Sequence, residues 1–293
     1  EPLWIAVEKS GGIAASFFWV GSEADIQGIR PTHYKRYDGR IENKLRVEQA
    51  LKWLQLPSNE RPGLITLYFS DVDSAGHNFG PDSVEVNEAI AKIDGEVGAF
   101  LDGLAALPFG VNLIITSDHG MSAVNEAAVK YLEDWIDLSL WTDDSKIING
   151  GAFAYFYSKN SSLLASSINH LKNIPGLKVF SKGNFPAQMH LGENARTPDF
   201  IVTVDAPAYL MIRRPKRSFD PPAGAHGYMT ASNADMHGVF YAAGPGIKPG
   251  NKPAFENIHV YPFVMSLIGL NITTQIDGDL AALAEHLRPS TAR

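Results

Sequence analysis

Two apolar runs of strand length, separated by an amphipathic helical pattern, constrain the fold of this chain most strongly. The first run covers residues 64–69 and the second covers residues 111–116. Between them, a capping-box-like start precedes apolar side chains at helical spacing, namely Val86, Ile90, Ile93, Val97 and Leu101. Continuous apolar strands are typical of sheets covered on both faces, and a crossover of this length predicts a βαβ unit. We therefore predict an α/β protein with a mostly parallel central sheet and helices on both faces.

The rest of the chain continues this alternation less regularly. Further strands are predicted at 3–7, 14–19, 152–157, 199–204 and 238–244, and helices at 46–54, 161–173 and 260–268. A basic surface loop is predicted at 213–217, and fraying is predicted from Pro289. We expect a single domain over residues 1–293, with residues 123–223 as a small cap or inserted region within it.

Composition limits the possible classes of function. The chain has 293 residues, of which 45% are hydrophobic, and this is enough for a sizeable core. Lys and Arg number 25 against 32 Asp and Glu, so the formal net charge of −7 argues against binding to duplex nucleic acid. No apolar run approaches the roughly 20 residues of a membrane-spanning helix. Because there are no cysteines, any transition metal must be held by Asp, Glu or the nine His.

Three short motifs with such ligands lie near predicted strand ends. They are Asp73-x-x-x-His77, Asp118-His119-Gly120, and Gly224-Ala225-His226-Gly227. Two directly follow the strands at 64–69 and 111–116, and the third lies in a glycine-rich loop ahead of the strand at 238–244. In open α/β sheets, ligands bind beyond the carboxyl ends of the strands, where two of these motifs arrive directly. Carboxylate and neutral imidazole suit Zn²⁺ or Mn²⁺, and two ions roughly 4 Å apart would clamp a phosphoryl group. We expect a flexible Ser-Ala-Gly segment to let Asp73 and His77 turn toward one ion, and Gly120 to permit the turn at His119.

Each motif alone is better explained as a surface pair, a turn or a loop residue, whereas the three together favour a metal site. His237 is the nearest rival of His226 as a ligand, because it also precedes a predicted strand. The remaining histidines are assigned to loops and helices outside the site, namely His33, His170, His190, His259 and His286.

These motifs resemble the metal motifs of the nucleotide pyrophosphatase/phosphodiesterase family, within the alkaline phosphatase superfamily. Further similar segments are Phe17–Glu23, Tyr37-Asp38-Gly39 and Trp53–Pro62, so the resemblance extends over nearly the whole chain. Val20 stands where the family usually has proline, and Asp38 stands where it has asparagine. The resemblance implies an alkaline phosphatase-like fold.

The resemblance also implies a two-zinc centre and a nucleotide pocket. One zinc would be bound by Asp73, His77 and His226, and the other by Asp118, His119 and a further Asp. That Asp and the Thr or Ser nucleophile belong to a segment that we expect to precede Glu1, so neither role is assigned to a residue of this chain. The pocket residues implied by the resemblance are Tyr37, Tyr68, Trp19 and Glu23.

The activity implied by the resemblance is hydrolysis of nucleotide phosphodiester or pyrophosphate bonds, which yields nucleoside monophosphates through a covalent phospho-enzyme. Three alternatives stay open. They are a lipid or choline phosphodiesterase, a phosphomonoesterase or sulfatase of the same superfamily, and a catalytically silent module that binds metal and nucleotide. A periplasmic or extracellular location is expected from the family, and the absence of cysteine resembles its bacterial members.

Overall fold

The computed structural model describes residues 1–142, 144–215 and 221–289. The chain forms two compact units. The first comprises Glu1–Asp71, Ala89–Thr116 and the chain from Val239 onward, and the second comprises Val72–Glu88 and Ser117–Gly238. The predicted insert at 123–223 falls within the second unit, and its role as a cap stays a prediction. Residues 216–217 of the predicted basic loop lie outside the described residues, as does the chain after Pro289, where fraying is predicted.

The described residues alternate between helices and short strands. The helices are α1 (Leu3–Lys9), α2 (Asn43–Leu54), α3 (Asp71–Phe79), α4 (Val84–Ala105), α5 (Ser161–Leu171) and α6 (Val260–Leu267). The strands are β1 (Ala14–Phe17), β2 (His33–Lys35), β3 (Leu64–Leu67), β4 (Leu113–Thr116), β5 (Ser122–Ala123), β6 (Val129–Tyr131), β7 (Lys146–Asn149), β8 (Phe153–Tyr157), β9 (Lys178–Ser181), β10 (Phe200–Thr203), β11 (Tyr209–Met211), β12 (Gly224–Ala225) and β13 (Phe240–Ala243). Among the described residues, no helix is both long and apolar enough to cross a membrane.

In the first unit, β1 is the centre of a parallel sheet in the order β2-β1-β3. All four residues of β1 are buried, including the polar Ser16, as expected of the predicted buried strand at 14–19. Helix α2 buries Val47, Ala50, Trp53 and Leu54, which repeat at the spacing of one helical face. The predicted helix at 46–54 is therefore confirmed, and it begins three residues earlier than expected.

Strand β4 of the same unit pairs antiparallel with β13. The strand predicted at 238–244 forms, but its side chains alternate, so that Phe240 packs against Phe263 and Tyr241 is 66% exposed. Helix α4 forms where the apolar spacing predicts it. Its apolar face is only partly covered in the described residues, because Val86 is buried whereas Ile90 is 50% exposed and Leu101 is 47% exposed.

The second unit is built around a four-stranded antiparallel sheet in the order β7-β8-β10-β9. Its core includes Phe156 and Phe200, whose rings stack at 4.1 Å, and Leu163 and Leu171 of α5. Two shorter pairs complete the unit, β6 with β11 and β5 with β12. The strands predicted at 152–157 and 199–204 are confirmed as β8 and β10.

The strand predicted at residues 3–7 is wrong, because this segment is the helix α1. Trp4, Ile5 and Val7 are all buried, and a short run that is apolar on every side does not distinguish a strand from a buried helix. The helix ends at Lys9, and Gly11 follows two residues later with a φ of +81°, a left-handed conformation that glycine adopts without strain. Gly12 N–H donates to the Val7 carbonyl there (3.0 Å). The glycine pair was the sequence signal for a helix end.

Candidate metal centre and aromatic pocket

Asp73 and His77 lie on one face of α3, four residues apart. Helical residues at this spacing are neighbours, and His77 Nε2 lies 3.4 Å from Asp73 Oδ1. The Ser-Ala-Gly segment between them is helical, so the expected flexible connection is wrong. Gly76 is the buried residue of this helix, and a Cβ there would lie 3.1 Å from the Met121 sulfur. The helix therefore places both side chains in a fixed orientation.

His226 joins this pair from the end of β12. Its Nε2 lies 3.9 Å from Asp73 Oδ1, and one ligand atom from each of Asp73, His77 and His226 lies within 4.8 Å of the others. The rings of His77 and His226 are 5.1 Å apart and tilted by 54°. Strand β12 approaches α3 closely, since a Cβ on Gly224 would lie 2.5 Å from the Gly76 carbonyl oxygen. Three ligand atoms thus surround a volume suited to one cation.

The hydrogen bonds and burial of Asp73, His77 and His226 leave their ligand atoms suited to binding a cation. His77 Nδ1 lies 2.8 Å from the Gly224 carbonyl oxygen, which can only accept, so Nδ1 carries the proton and the Nε2 lone pair is free for a metal. Asp73 Oδ1 is buried and has no hydrogen-bond partner, which is costly for a carboxylate unless a cation compensates. Burial, with smaller contributions from His119 and His77, lowers the pKa of His226, which favours the neutral imidazole that binds metal.

Asp118 and His119 lie next to this trio. The ring of His119 stacks on that of His226 at 3.5 Å, and its Nδ1 lies 2.9 Å from the Gly120 carbonyl oxygen. His119 Nε2 is 3.5 Å from Asp118 Oδ2, and the Asp118 side chain is 71% exposed. The structure therefore brings all five predicted ligands together, whereas the rival His237 is exposed at the end of a 3-10 turn.

Gly120 is required for a reason other than the one we expected. It does not have a positive φ, so left-handed backbone is not what the turn needs. A Cβ at Gly120 would instead lie 1.9 Å from the Asp235 carbonyl oxygen and 2.8 Å from that of His237. Backbone from the 235–237 segment therefore passes directly beside Gly120, and only glycine leaves room for it.

The four predicted pocket residues, all in the first unit, line one cavity of about 300 Å³. Trp19, Tyr37 and Tyr68 present aromatic rings, and Tyr37 and Tyr68 lie 6.4 Å apart, edge to face. The Tyr37 N–H donates to Glu23 Oε2 (3.0 Å), so Glu23 anchors the backbone beneath the Tyr37 ring. Tyr37 is 54% exposed, which leaves its ring open to a flat ligand.

The sequence analysis did not identify Arg46 as a residue that supports this pocket. Arg46 is 2% exposed, and its guanidinium lies 5.0 Å from the centre of the Phe18 ring, which also lines the cavity. It donates to the Tyr68 carbonyl oxygen (3.0 Å) and twice to that of Ile41. Burial lowers the pKa of Arg46, although Asp71 opposes this. The sequence feature that could have indicated this role is the position of Arg46 among the apolar residues of α2.

Replacing Arg46 with methionine is expected to lower the free energy of unfolding by roughly 3 kcal/mol, because the buried guanidinium gives three hydrogen bonds to the part-buried carbonyl groups of Ile41 and Tyr68 and all three are lost. Urea unfolding followed by circular dichroism measures this value. Arg40→Met is the matched control, since the Arg40 side chain is 91% exposed and its ion pair with Asp38 contributes little. Equal losses in the two variants would contradict a supporting role for Arg46.

An α/β fold with a cluster of Asp and His side chains around a cation-sized volume is typical of metal-dependent hydrolases. The sequence profile of the type I phosphodiesterase / nucleotide pyrophosphatase family matches residues 1–229. The chain belongs to this family.

Individual relatives agree with this assignment. The chain is 33% identical over 282 residues to human ectonucleotide pyrophosphatase/phosphodiesterase family member 1, covering 92% of this chain and 30% of that protein. It is 34% identical over 277 residues to venom phosphodiesterase of Macrovipera lebetinus, covering 92% of this chain and 32% of that protein. The chain thus spans about a third of the length of these relatives.

Solved structures are similar over nearly the whole chain. Murine ectonucleotide pyrophosphatase/phosphodiesterase 5, solved as an inactive form in complex with AMP, superimposes with a TM-score of 0.87 at 27% identity. The match covers 98% of this chain and 75% of that one. The human protein of the same name gives a TM-score of 0.87 at 29% identity. The α/β, alkaline phosphatase-like fold that the motifs imply is confirmed.

Proposed function

We propose that this chain is the hydrolase part of a two-zinc phosphodiesterase that cleaves nucleotide diesters or pyrophosphates to nucleoside monophosphates. The observation that carries the proposal is the buried, unpartnered Asp73 Oδ1, which faces two imidazole Nε2 atoms. Family membership supports the reaction class, and a bound AMP in the murine neighbour supports a nucleotide ligand.

The chemistry of the donor set supports zinc as the metal. Carboxylate oxygen and neutral imidazole nitrogen suit zinc, and the chain has no thiolate. We assign Asp73, His77 and His226 to one ion, and Asp118 and His119 to a second ion, whose further Asp ligand is not assigned to a residue of this chain. When bound, two such ions neutralise charge on the phosphoryl oxygens and support the attacking and leaving groups.

The side chains of this chain hold and orient these groups. His77 keeps its Nε2 directed at the cluster through its hydrogen bond to the Gly224 carbonyl. The Thr or Ser nucleophile of the proposed reaction is not assigned to a residue of this chain; its hydroxyl oxygen would displace the alcohol or phosphate leaving group from phosphorus, and water would then release the nucleoside monophosphate from the covalent phospho-enzyme. The aromatic pocket would take the base of the nucleotide by stacking against Tyr37, Tyr68 and Trp19.

We also propose a location outside the cytoplasm, either periplasmic or extracellular. The names of the relatives, which are an ectoenzyme and a venom enzyme, support this. Fractionation of cells that express the full-length protein would test it, and recovery of the protein in the cytoplasmic fraction would contradict it.

Metal analysis and a substrate panel on the full-length protein test the proposed activity. We expect about two zinc ions per protein and faster hydrolysis of a nucleotide p-nitrophenyl diester than of the matching monoester. Faster turnover of the monoester would favour a phosphomonoesterase, and turnover confined to p-nitrophenyl phosphorylcholine would favour a choline-type diesterase. Zinc binding without turnover of any of these would favour a silent binding module.

Replacing Tyr37 with alanine is expected to raise the KM for the nucleotide diester about tenfold, because one stacking contact with a base contributes roughly 1–3 kcal/mol. The kcat should change less, since the ring does not hold a metal. The measurement compares the nucleotide diester with bis(p-nitrophenyl) phosphate, which has no base. Tyr37→Phe is the control, because it keeps the ring and loses only the hydroxyl contact with Ser70 (3.3 Å). An equal KM change for both substrates would argue against base stacking.

A further inference from the structure

A small polar network in the second unit lies directly beside the turn that carries Asp118 and His119. At its centre is Ser122, which is 1% exposed. Its hydroxyl donates to Asp235 Oδ2 (3.0 Å) and accepts a hydrogen bond from Asn233 Nδ2 (2.7 Å). None of these three side chains belongs to the proposed ligands, and the function stated above does not use them.

Asn233 connects this network to the backbone next to His119. Its Oδ1 accepts the Asp235 N–H (3.0 Å) and so caps the 3-10 turn Ala234–Met236. The carbonyl oxygen of Met236, in this turn, accepts the Gly120 N–H (3.0 Å). The capped turn therefore holds the residue that follows His119.

Ser122 also connects the network to His226. It lies on β5, where it is paired with Ala225 of β12, the residue immediately before His226. Through its side chain Ser122 is bonded to the 233–235 segment, and through its backbone it is paired with the strand that delivers a ligand of the first ion. Ser122 thus contacts both segments: its hydroxyl bonds to the 233–235 segment, and its backbone pairs with the strand that precedes His226.

We propose that Ser122 and Asn233 are positioning residues that hold the His119 turn and the His226 strand in the geometry required for zinc binding. This inference rests on the proposed metal function. Metal sites depend on the shell of groups that orients their ligands, and the loss of such a group weakens metal binding by about 10–100-fold. Because Ser122 acts through the backbone rather than on a ligand atom, we expect an effect at the lower end of that range, about tenfold.

The test compares Ser122→Ala with Ser232→Ala in the full-length protein. Ser232 is a matched control, since it is exposed and its hydroxyl bonds to Asp205 and the Met229 carbonyl oxygen instead. The zinc Kd is measured by competition with a chromophoric chelator, and the visible spectrum of the cobalt-substituted protein reports ligand geometry. We expect an approximately tenfold higher Kd and an altered spectrum in Ser122→Ala alone. The melting temperature of the metal-free protein measures general stability separately.

Asn233→Asp is the second variant, in case Ser122→Ala does not fold. It keeps the oxygen that caps the 3-10 turn and removes the donor to Ser122, so we expect weaker zinc binding with the turn intact. Wild-type zinc affinity and cobalt spectra in the folded variants would overturn the positioning role and leave the metal function in place. A wild-type protein that binds no zinc would overturn both.

Discussion

Substituting His226 with alanine is expected to lower turnover of a nucleotide diester by about three orders of magnitude at limiting zinc. The proposed first ion would keep only Asp73 and His77, and a metal ion contributes several kcal/mol to stabilising charge in the transition state. Since the ring of His226 also stacks on that of His119, its removal should disturb the second pair of ligands as well. Steady-state rates with zinc held at or below the protein concentration, together with elemental analysis, measure both effects.

His237→Ala is the matched control for this substitution. His237 is another histidine near the same segment, but it is exposed and lies outside the cluster. We expect near wild-type rates and an unchanged zinc content in this variant. Full activity of His226→Ala at limiting zinc, or a loss in His237→Ala that equals it, would remove His226 from the ligand set.

Adding one methyl group at Gly120 is expected to lower activity by about 100-fold and to destabilise the fold by roughly 1–3 kcal/mol. The alanine Cβ would lie 1.9 Å from the Asp235 carbonyl oxygen, so the backbone next to His119 must move. A displacement of about 1 Å at a catalytic group is enough for such a loss. Rates, zinc Kd and urea unfolding on the purified variant measure the three consequences together.

Gly63→Ala serves as the control for Gly120→Ala. Gly63 has no positive φ, and a Cβ there would have no atom within 4 Å. The same chemical change should therefore leave activity and zinc binding unaltered. If Gly120→Ala matched Gly63→Ala in rate and zinc affinity, the close backbone approach at Gly120 would not control the site.

Local periodicity predicted the regular elements well where side-chain spacing distinguishes the alternatives. Helix α4 shows a clear amphipathic spacing from Val86 onward, and β8 and β10 are strands as predicted. Residues 3–7 are apolar throughout, so their spacing carries no such information, and the segment is a helix. Spacing also did not show that Ile90 and Leu101 on the apolar face of α4 would be exposed in the described residues, since exposure depends on what packs against the helix.

In the candidate site, too, the sequence predicted some features and not others. The motifs predicted which Asp and His side chains the structure would bring together, because ligand chemistry depends on residue type. The sequence did not predict the geometry of these side chains, because Asp73 and His77 are oriented by helix α3 rather than by a flexible segment. Arg46 was missed because a polar residue on an apolar helix face has no local signature of what it contacts.

The amino-acid sequence by itself determined the α/β class, the family and the identities of the side chains available to bind metal. These follow from residue type and from spacing between near neighbours. Only the tertiary structure decided how those groups are held. The Gly224 carbonyl that fixes the His77 ring is 147 positions away from it, and the backbone that requires glycine at 120 comes from residues 235–237. Such contacts arise when distant segments pack, so no local pattern encodes them.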